Sequence, residues 1–493
     1  MTMVASKLRA VLYRRVSRDT SILALLAAVI ISVNVVSYVY LKSLADENPH
    51  APPYPVIAGD SVHYAHWADN LLALHAYQDV PGVPLRAAPP GYPFLLALFK
   101  AITGSIVPVV AVQVMLTLLA AALIYTMACE IVPWQYAVGA AMAYGLDPMV
   151  ILTDTTILTD ALFSSLIVCI IYLAFFQTRL RGALRWGLAG FLLGLALMLR
   201  PIGEFLLLVL PAAYLYKEWL TGVHADGSRI QALCAFVLGC ALVIAPWMAR
   251  NDAVFNSIEL SPLGGHNLMT FDVRGFLAWR ALADSAHPLP AFLVLRHEND
   301  PVFAIVDRHI AADLSGITPK GQDTQSYEGT LALRYILQDP LRYLYFDLVN
   351  TLPFFFSSSF ASYGQIVSQL RDNTGFFAPV SLSLANSIGE LRHPHSIRTV
   401  LSAVGSLAPT VLEILWWLLV TAMACLGLFV RRREFLIVIL AGMVAYFALL
   451  TGPMSNSRYR IPAEPYLLIL AATGLYGGQT AVREHIAGRR RTG

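Results

Sequence analysis

Apolar runs recur from one end of this chain to the other, and several reach roughly 18 residues, the length a helix needs to cross a bilayer. A chain built this way does not hide its apolar surface in a water-soluble core; lipid takes that place. Composition agrees. Of 493 residues, 57% are hydrophobic and 13% charged, against about 25% charged in a typical soluble domain. Disordered chains, coiled coils and ordinary soluble enzymes are excluded. The net charge of +3 gives nucleic acid no electrostatic footprint. The five cysteines all fall in apolar stretches, so no disulfide framework is implied.

Charge placement orients the spans. Lys7, Arg9, Arg14, Arg15 and Arg18 precede the first run, 20–41, which is too long for a signal-peptide core. Cationic flanks stay in the cytoplasm. Further runs at 106–131, 134–146, 157–177, 187–199, 205–216, 231–248, 409–430, 435–450 and 466–480 alternate sides. The basic clusters at 179–185, 431–433 and 489–491 then all fall inside. The expectation is an all-α polytopic protein of the cytoplasmic (inner) membrane with about ten spans and both termini cytoplasmic. The apolar stretch 345–360 either dips or crosses; a crossing there requires a second, giving about twelve. Three regions follow: an N-terminal module, 1–248, with an outer loop at 43–105; a long outer loop, 249–408; and a C-terminal helical part, 409–493. Within the long loop, 334–350 has helical apolar spacing with interleaved tyrosines and reads as an interfacial helix. Membrane lipids are thus a partner. Of the 31 acidic residues, 22 lie in the outer segments, which points to a working surface there. No Walker A loop or dinucleotide fingerprint occurs.

The first outer loop carries Gly59-Asp60-Ser61-Val62-His63-Tyr64 at the start of an amphipathic pattern that puts Asp60, His63 and Tyr64 on one face. Asp60 has two readings: a helix cap that complements the dipole, or a base held at the membrane surface. The Pro89-Pro90-Gly91-Tyr92-Pro93 turn opens an apolar segment too short to span, with Lys100 reaching for headgroups. Asp147, Asp154 and Asp160 cluster near one mouth. Arg200 ends a short run; 185–199 extends only ~22 Å at 1.5 Å per residue. That would set Arg200 below the outer surface, where a charge is either snorkelling or functional. Arg458 and Arg460, at i and i+2, would share one side of an extended segment and suit a phosphate bidentately. Arg250 and the Gly264-Gly265-His266 turn open the long loop, beside Trp247 as an interface anchor. His63 and His66, or His393 and His395, are weak metal ligands at their spacing; a divalent metal is left open and no other cofactor is called for.

In order, these pieces resemble the polyprenyl-phosphate-sugar-dependent glycosyltransferases of the GT-C superfamily, the group of protein O-mannosyltransferases and lipid A aminoarabinose transferases. The resemblance is carried by Gly59-Asp60 through Ala68, the turn at 89–93, Leu146-Asp147-Pro148, Leu199-Arg200-Pro201, Pro246-Trp247 with Arg250-Asn251, and Ser457-Arg458-Tyr459-Arg460 with Pro462 and Pro465. It implies a GT-C-like bundle and a catalytic role for Asp60 near the acceptor. Two positions depart from the family pattern. Ser61 stands where many protein O-mannosyltransferases have a second acid, and Asp160 where many relatives carry glutamate. The acceptor class — lipid, glycan or protein — stays open.

The expected chemistry is transfer of a sugar from a polyprenyl-phosphate donor, with Asp60 as general base. Asp147 and Asp160 would form an acceptor or second acidic site. Arg200, Arg250, Arg458 and Arg460 would hold the leaving phosphate. His63, Tyr64, Tyr92, His266 and Tyr459 would line the substrates. A transporter or a non-catalytic lipid-binding protein is the alternative, though neither repeated halves nor mid-membrane charges are visible.

Overall fold

The computed structural model describes residues 2–492 except 58, 87, 178, 181, 221–227, 284–289, 292–299, 319–324 and 373–396, with only the backbone at 2–16, 325–326, 397–406 and 481–492. His393 and His395 lie outside the described residues.

All ten apolar runs are helical. They are α1 (Thr2–Glu47), α4 (Pro108–Cys129), α5 (Trp134–Gly145), α7 (Asp160–Ile171), α8 (Gly182–Leu199), α9 (Leu206–Leu220), α10 (Ser228–Phe255), α18 (Ile397–Arg431), α19 (Phe435–Thr451) and α21 (Glu464–Thr492). Six helices among the described residues are long and apolar enough to cross a membrane. A seventh results if α5 and α6 (Pro148–Thr155), bent by 50°, are one span. The protein is therefore a mostly helical, multi-pass membrane protein with six or seven such spans, where ten to twelve were expected. The shortfall has local causes. The apolar run at Asp160–Phe176 is too short on its own, and α9 is only 15 residues long. Conversely, α8 starts at Gly182, earlier than its apolar run, and is long enough to span.

No helix over 340–372 is long and apolar enough to cross a membrane. Prolines open α15 (Pro340–Thr351) and α16 (Pro353–Phe356), and α17 (Ser359–Asp372) follows. The expected interfacial helix is likewise two helices, α14 (Gln325–Gln338) and α15, parted at Asp339-Pro340, where proline disfavours helix in the residue before it. Leu333, Leu337, Leu341, Leu344 and Leu348 nevertheless remain exposed along both.

The close helix pairs are built on glycine. A side chain at Gly190 of α8 would meet the Phe236 carbonyl oxygen of α10 at 1.9 Å, and one at Gly239 would meet the Gly187 carbonyl at 2.2 Å. Gly474 of α21 faces the Met423 carbonyl of α18 at 1.9 Å in the same way. Without a hydrophobic force between helices in lipid, this backbone contact is what binds them. The long segment has a separate apolar core, in which Phe276, Phe303, Ile310, Leu331, Tyr335 and Phe346 meet.

Candidate functional site

Helix α2 (Asp60–Leu74) begins at Gly59, whose φ of 78° suits glycine. Asp60 makes no capping bond to its own helix. Its carboxylate instead accepts a hydrogen bond from Arg458 Nη2 at 2.7 Å, across 398 residues of chain. Arg458 Nε donates to Asp160 Oδ2 at 3.0 Å, and Asp160 Oδ1 is paired with Arg200 Nη1. Four charges thus form one chain, Asp60–Arg458–Asp160–Arg200. Asp160 is fully buried, while the Asp60 side chain is 52% exposed. Partial burial works to push the Asp60 carboxyl up. The Arg458 charge and hydrogen bond, with Arg200 and His63 farther off, outweigh it and hold the carboxyl below the usual carboxylate range.

Local structure explains the convergence. Asn456 caps α20 (Ser457–Arg460) by accepting from the Arg458 and Tyr459 amides at 2.9 and 3.4 Å. The segment is thus a helical turn, not the extended strand the sequence suggested, so Arg458 and Arg460 part ways. Arg460 is fully buried. It pairs with Glu464 at 2.9 Å, donates to the Ser357 carbonyl at 2.8 Å, and stacks 3.8 Å from the Trp417 ring centroid. It anchors the turn that presents Arg458 and stands apart from the Asp60 chain. The other side of α20 is held by Ser164, one turn beyond Asp160, whose hydroxyl donates to the Ile461 carbonyl at 3.2 Å.

The remaining expected residues divide similarly. Tyr64 packs edge-on against Tyr92 at 5.1 Å and against Trp67 at 5.9 Å, beside the charge chain. Arg200 lies 5.5 Å from the Tyr459 ring centroid. His63 stacks on Trp67 at 5.5 Å. Asp147 is not gathered with Asp160; it caps α6 and accepts from Ser359 at 3.2 Å. Asp154 is bound by Thr117 at 2.8 Å, so the three acids of one apparent mouth serve three places. Arg250 donates to the Leu85 carbonyl at 2.8 Å and lies over Trp247 and Phe255, holding the first outer loop rather than joining Arg458. His266 pairs with Glu328 at 2.6 Å within the long segment, on a short helix, α11 (Leu263–Asn267), that touches the Pro201–Gly203 turn after Arg200. His66 contacts the Asp79 carbonyl and Asn70. No group of three or more metal-ligating side chains gathers among the described residues. Lys100 pairs with Asp69 on α2 rather than reaching outward.

Two residues escaped sequence reasoning. Gln113, fully buried in α4, accepts from the Tyr92 hydroxyl at 2.6 Å and donates to the carbonyls of Thr153, Asp154 and Thr156. It ties the first outer loop to the turn that starts α7 at Asp160. A lone glutamine in a 22-residue apolar helix was the available signal. Glu413, on α18, caps α17 from outside by accepting from the Ser359 and Phe360 amides, each at 2.8 Å.

No curated protein matches this chain. A solved structure, ArnT from Cupriavidus metallidurans bound to undecaprenyl phosphate, aligns over 91% of this chain and 77% of that one, at 12% identity and a TM-score of 0.37. The sequence model of the family described as dolichyl-phosphate-mannose-protein mannosyltransferase matches residues 87–249. That stretch contains Tyr92, Asp147, Asp160 and Arg200, and leaves out Asp60, Arg250 and Arg458. Those residues, about a third of the chain, are thus similar to the dolichyl-phosphate-mannose-protein mannosyltransferase family.

Proposed function

We propose that this protein moves a sugar from a polyprenyl-phosphate-linked donor to an acceptor hydroxyl at the outer face of the cytoplasmic membrane. The observation that carries this reading is the Asp60–Arg458 contact. It joins a half-exposed carboxylate from one end of the chain to a guanidinium from the other, backed by Asp160 and Arg200 from the family-matched stretch. The family's description supplies the donor class, a sugar on a polyprenyl phosphate. Supporting the outer placement, the basic clusters at 179–185, 431–433 and 489–491 orient the chain with both termini inside.

In this mechanism Asp60 takes the acceptor proton as the acceptor oxygen bonds to the anomeric carbon. The bond from that carbon to the phosphate oxygen breaks through an oxocarbenium-like state. Its electron pair leaves on the phosphate, whose charge Arg458 and Arg200 stabilise. Tyr64 and Tyr459 line the site. Arg460, Glu464 and Arg250 position it without touching substrate. The exposed leucines of α14 and α15 rest in lipid.

The test is a transfer assay. Purified protein in lipid is given a radiolabelled polyprenyl-phosphate sugar and membrane acceptors. The expected result is label in the acceptor, reduced by about 10²–10⁴-fold in Asp60→Asn. Vesicle uptake without transfer, or near-normal transfer by Asp60→Asn, would refute the assignment.

A further inference from the structure

The charge chain has one weak joint. Arg458 spends its fork on two carboxylates, Asp160 at 3.0 Å and Asp60 at 2.7 Å. Asp160 is fully buried and is also held by Arg200. Asp60 is half exposed, and Arg458 is the only cation paired with it among the described residues. The groups facing Asp60 are Arg458 from α20, Arg200 from the end of α8, and His63 and Tyr64 from its own helix. Asp160 lies behind Arg458. Two cations already cancel two anions, so an arriving phosphate finds no unspent positive charge.

Resting on the donor reading above, we propose that the donor phosphate displaces Asp60 from Arg458, so that the carboxylate becomes an available base only once donor is bound. The exchange follows the energetics of the two pairs. An exposed ion pair holds weakly because water solvates both partners well. A buried carboxylate stripped of its cation is strongly unfavourable. The phosphate therefore competes with Asp60 and leaves Asp160 in place. Arginine suits the role, since its planar fork bonds phosphate oxygens bidentately while its Nε stays on Asp160. The released carboxylate then sits beside a new negative charge instead of a cation, which makes it a stronger base. Donor binding thus precedes proton abstraction by construction, and without donor the acceptor hydroxyl meets a carboxylate already occupied.

The test measures donor affinity apart from turnover. Binding of a polyprenyl-phosphate sugar, a phosphodiester, is measured in lipid nanodiscs without acceptor. Asp60→Asn should bind the donor about two- to fivefold more tightly than the wild type, the equivalent of one exposed ion pair, while losing transfer. Equal or weaker binding overturns the displacement. A second reading uses the wild type alone. The acid limb of kcat, which reports the donor-bound enzyme, should lie at higher pH than the acid limb of kcat/KM. Coincident limbs also overturn it. A wild type that transfers sugar but fails both tests leaves the transferase reading intact and removes only the switch.

Discussion

At the residue scale the governing fact is that Arg458 and Arg460, two positions apart, do opposite work. Arg458 faces the half-exposed Asp60, whereas Arg460 is sealed against Glu464 and Trp417. Their variants should separate. Arg458→Gln should lose donor affinity and, because Asp160 keeps Arg200, should lose less thermal stability than Arg460→Met. Arg460→Met leaves the buried Glu464 without its cation, and breaking a buried pair costs roughly 3–5 kcal/mol. Its unfolding temperature in detergent should fall steeply before any effect on donor binding is read. Asp60 gives a pH prediction with a definite sign. Its carboxyl is held below the usual range, chiefly by Arg458 against the opposing effect of burial. A base with a depressed pKa is ionised above it, so kcat/KM should be flat from near-neutral pH downward and fall only below about pH 4, the ordinary Asp value. Arg458→Gln should move that acid limb upward. A limb that stays in place would show that Asp60 is not the titrating base. These roles were only half legible in the sequence. Asp60 and the arginines announced themselves as charges beside apolar runs. The assignment of each arginine depended on whether 457–460 was extended or helical, and one capping asparagine decided it.

At the scale of elements, the site is held by bonds between helices rather than by any helix alone. Gln113 is the clearest case, with one side chain joining Tyr92 to the carbonyls of Thr153, Asp154 and Thr156. Gln113→Leu would strand these groups, each buried unsatisfied group costing about 1–3 kcal/mol. The expected outcome is loss of transfer with retained membrane insertion, checked by assay and by thermal unfolding. The glycine contacts make a second prediction. Gly190→Ala places a methyl group 1.9 Å from the Phe236 carbonyl oxygen, so α8 and α10 must separate. Overpacking of this kind costs about 1–3 kcal/mol. Because Arg200 directly follows the last residue of α8, that variant should weaken donor binding as well as stability. Glycine spacing on α8 was visible in the sequence, but its partner helix was not. Hydropathy identifies a helix and says nothing about which neighbour its small residues meet.

For the whole molecule, the proposed orientation rests on the basic clusters, and thiol labelling tests it. In a background without the five native cysteines, Val62→Cys beside Asp60 and Met454→Cys before Arg458 should both react with a membrane-impermeant thiol reagent applied outside. Arg432→Cys should react only after permeabilisation. Protection of Val62→Cys from the outside reagent would reverse the orientation and remove lipid-linked donors presented at that face.

Composition and run length were enough to make this chain a helical membrane protein, because the cost of exposing or burying apolar surface depends on the residues themselves. Every apolar run became a helix for that reason. Which acids meet which arginines, and which helices neighbour each other, were decided by packing. Those outcomes depend on contacts between residues hundreds of positions apart, such as Asp60 with Arg458 and Ser164 with Ile461. Local sequence carries no information about the partner, so only the folded chain could supply it.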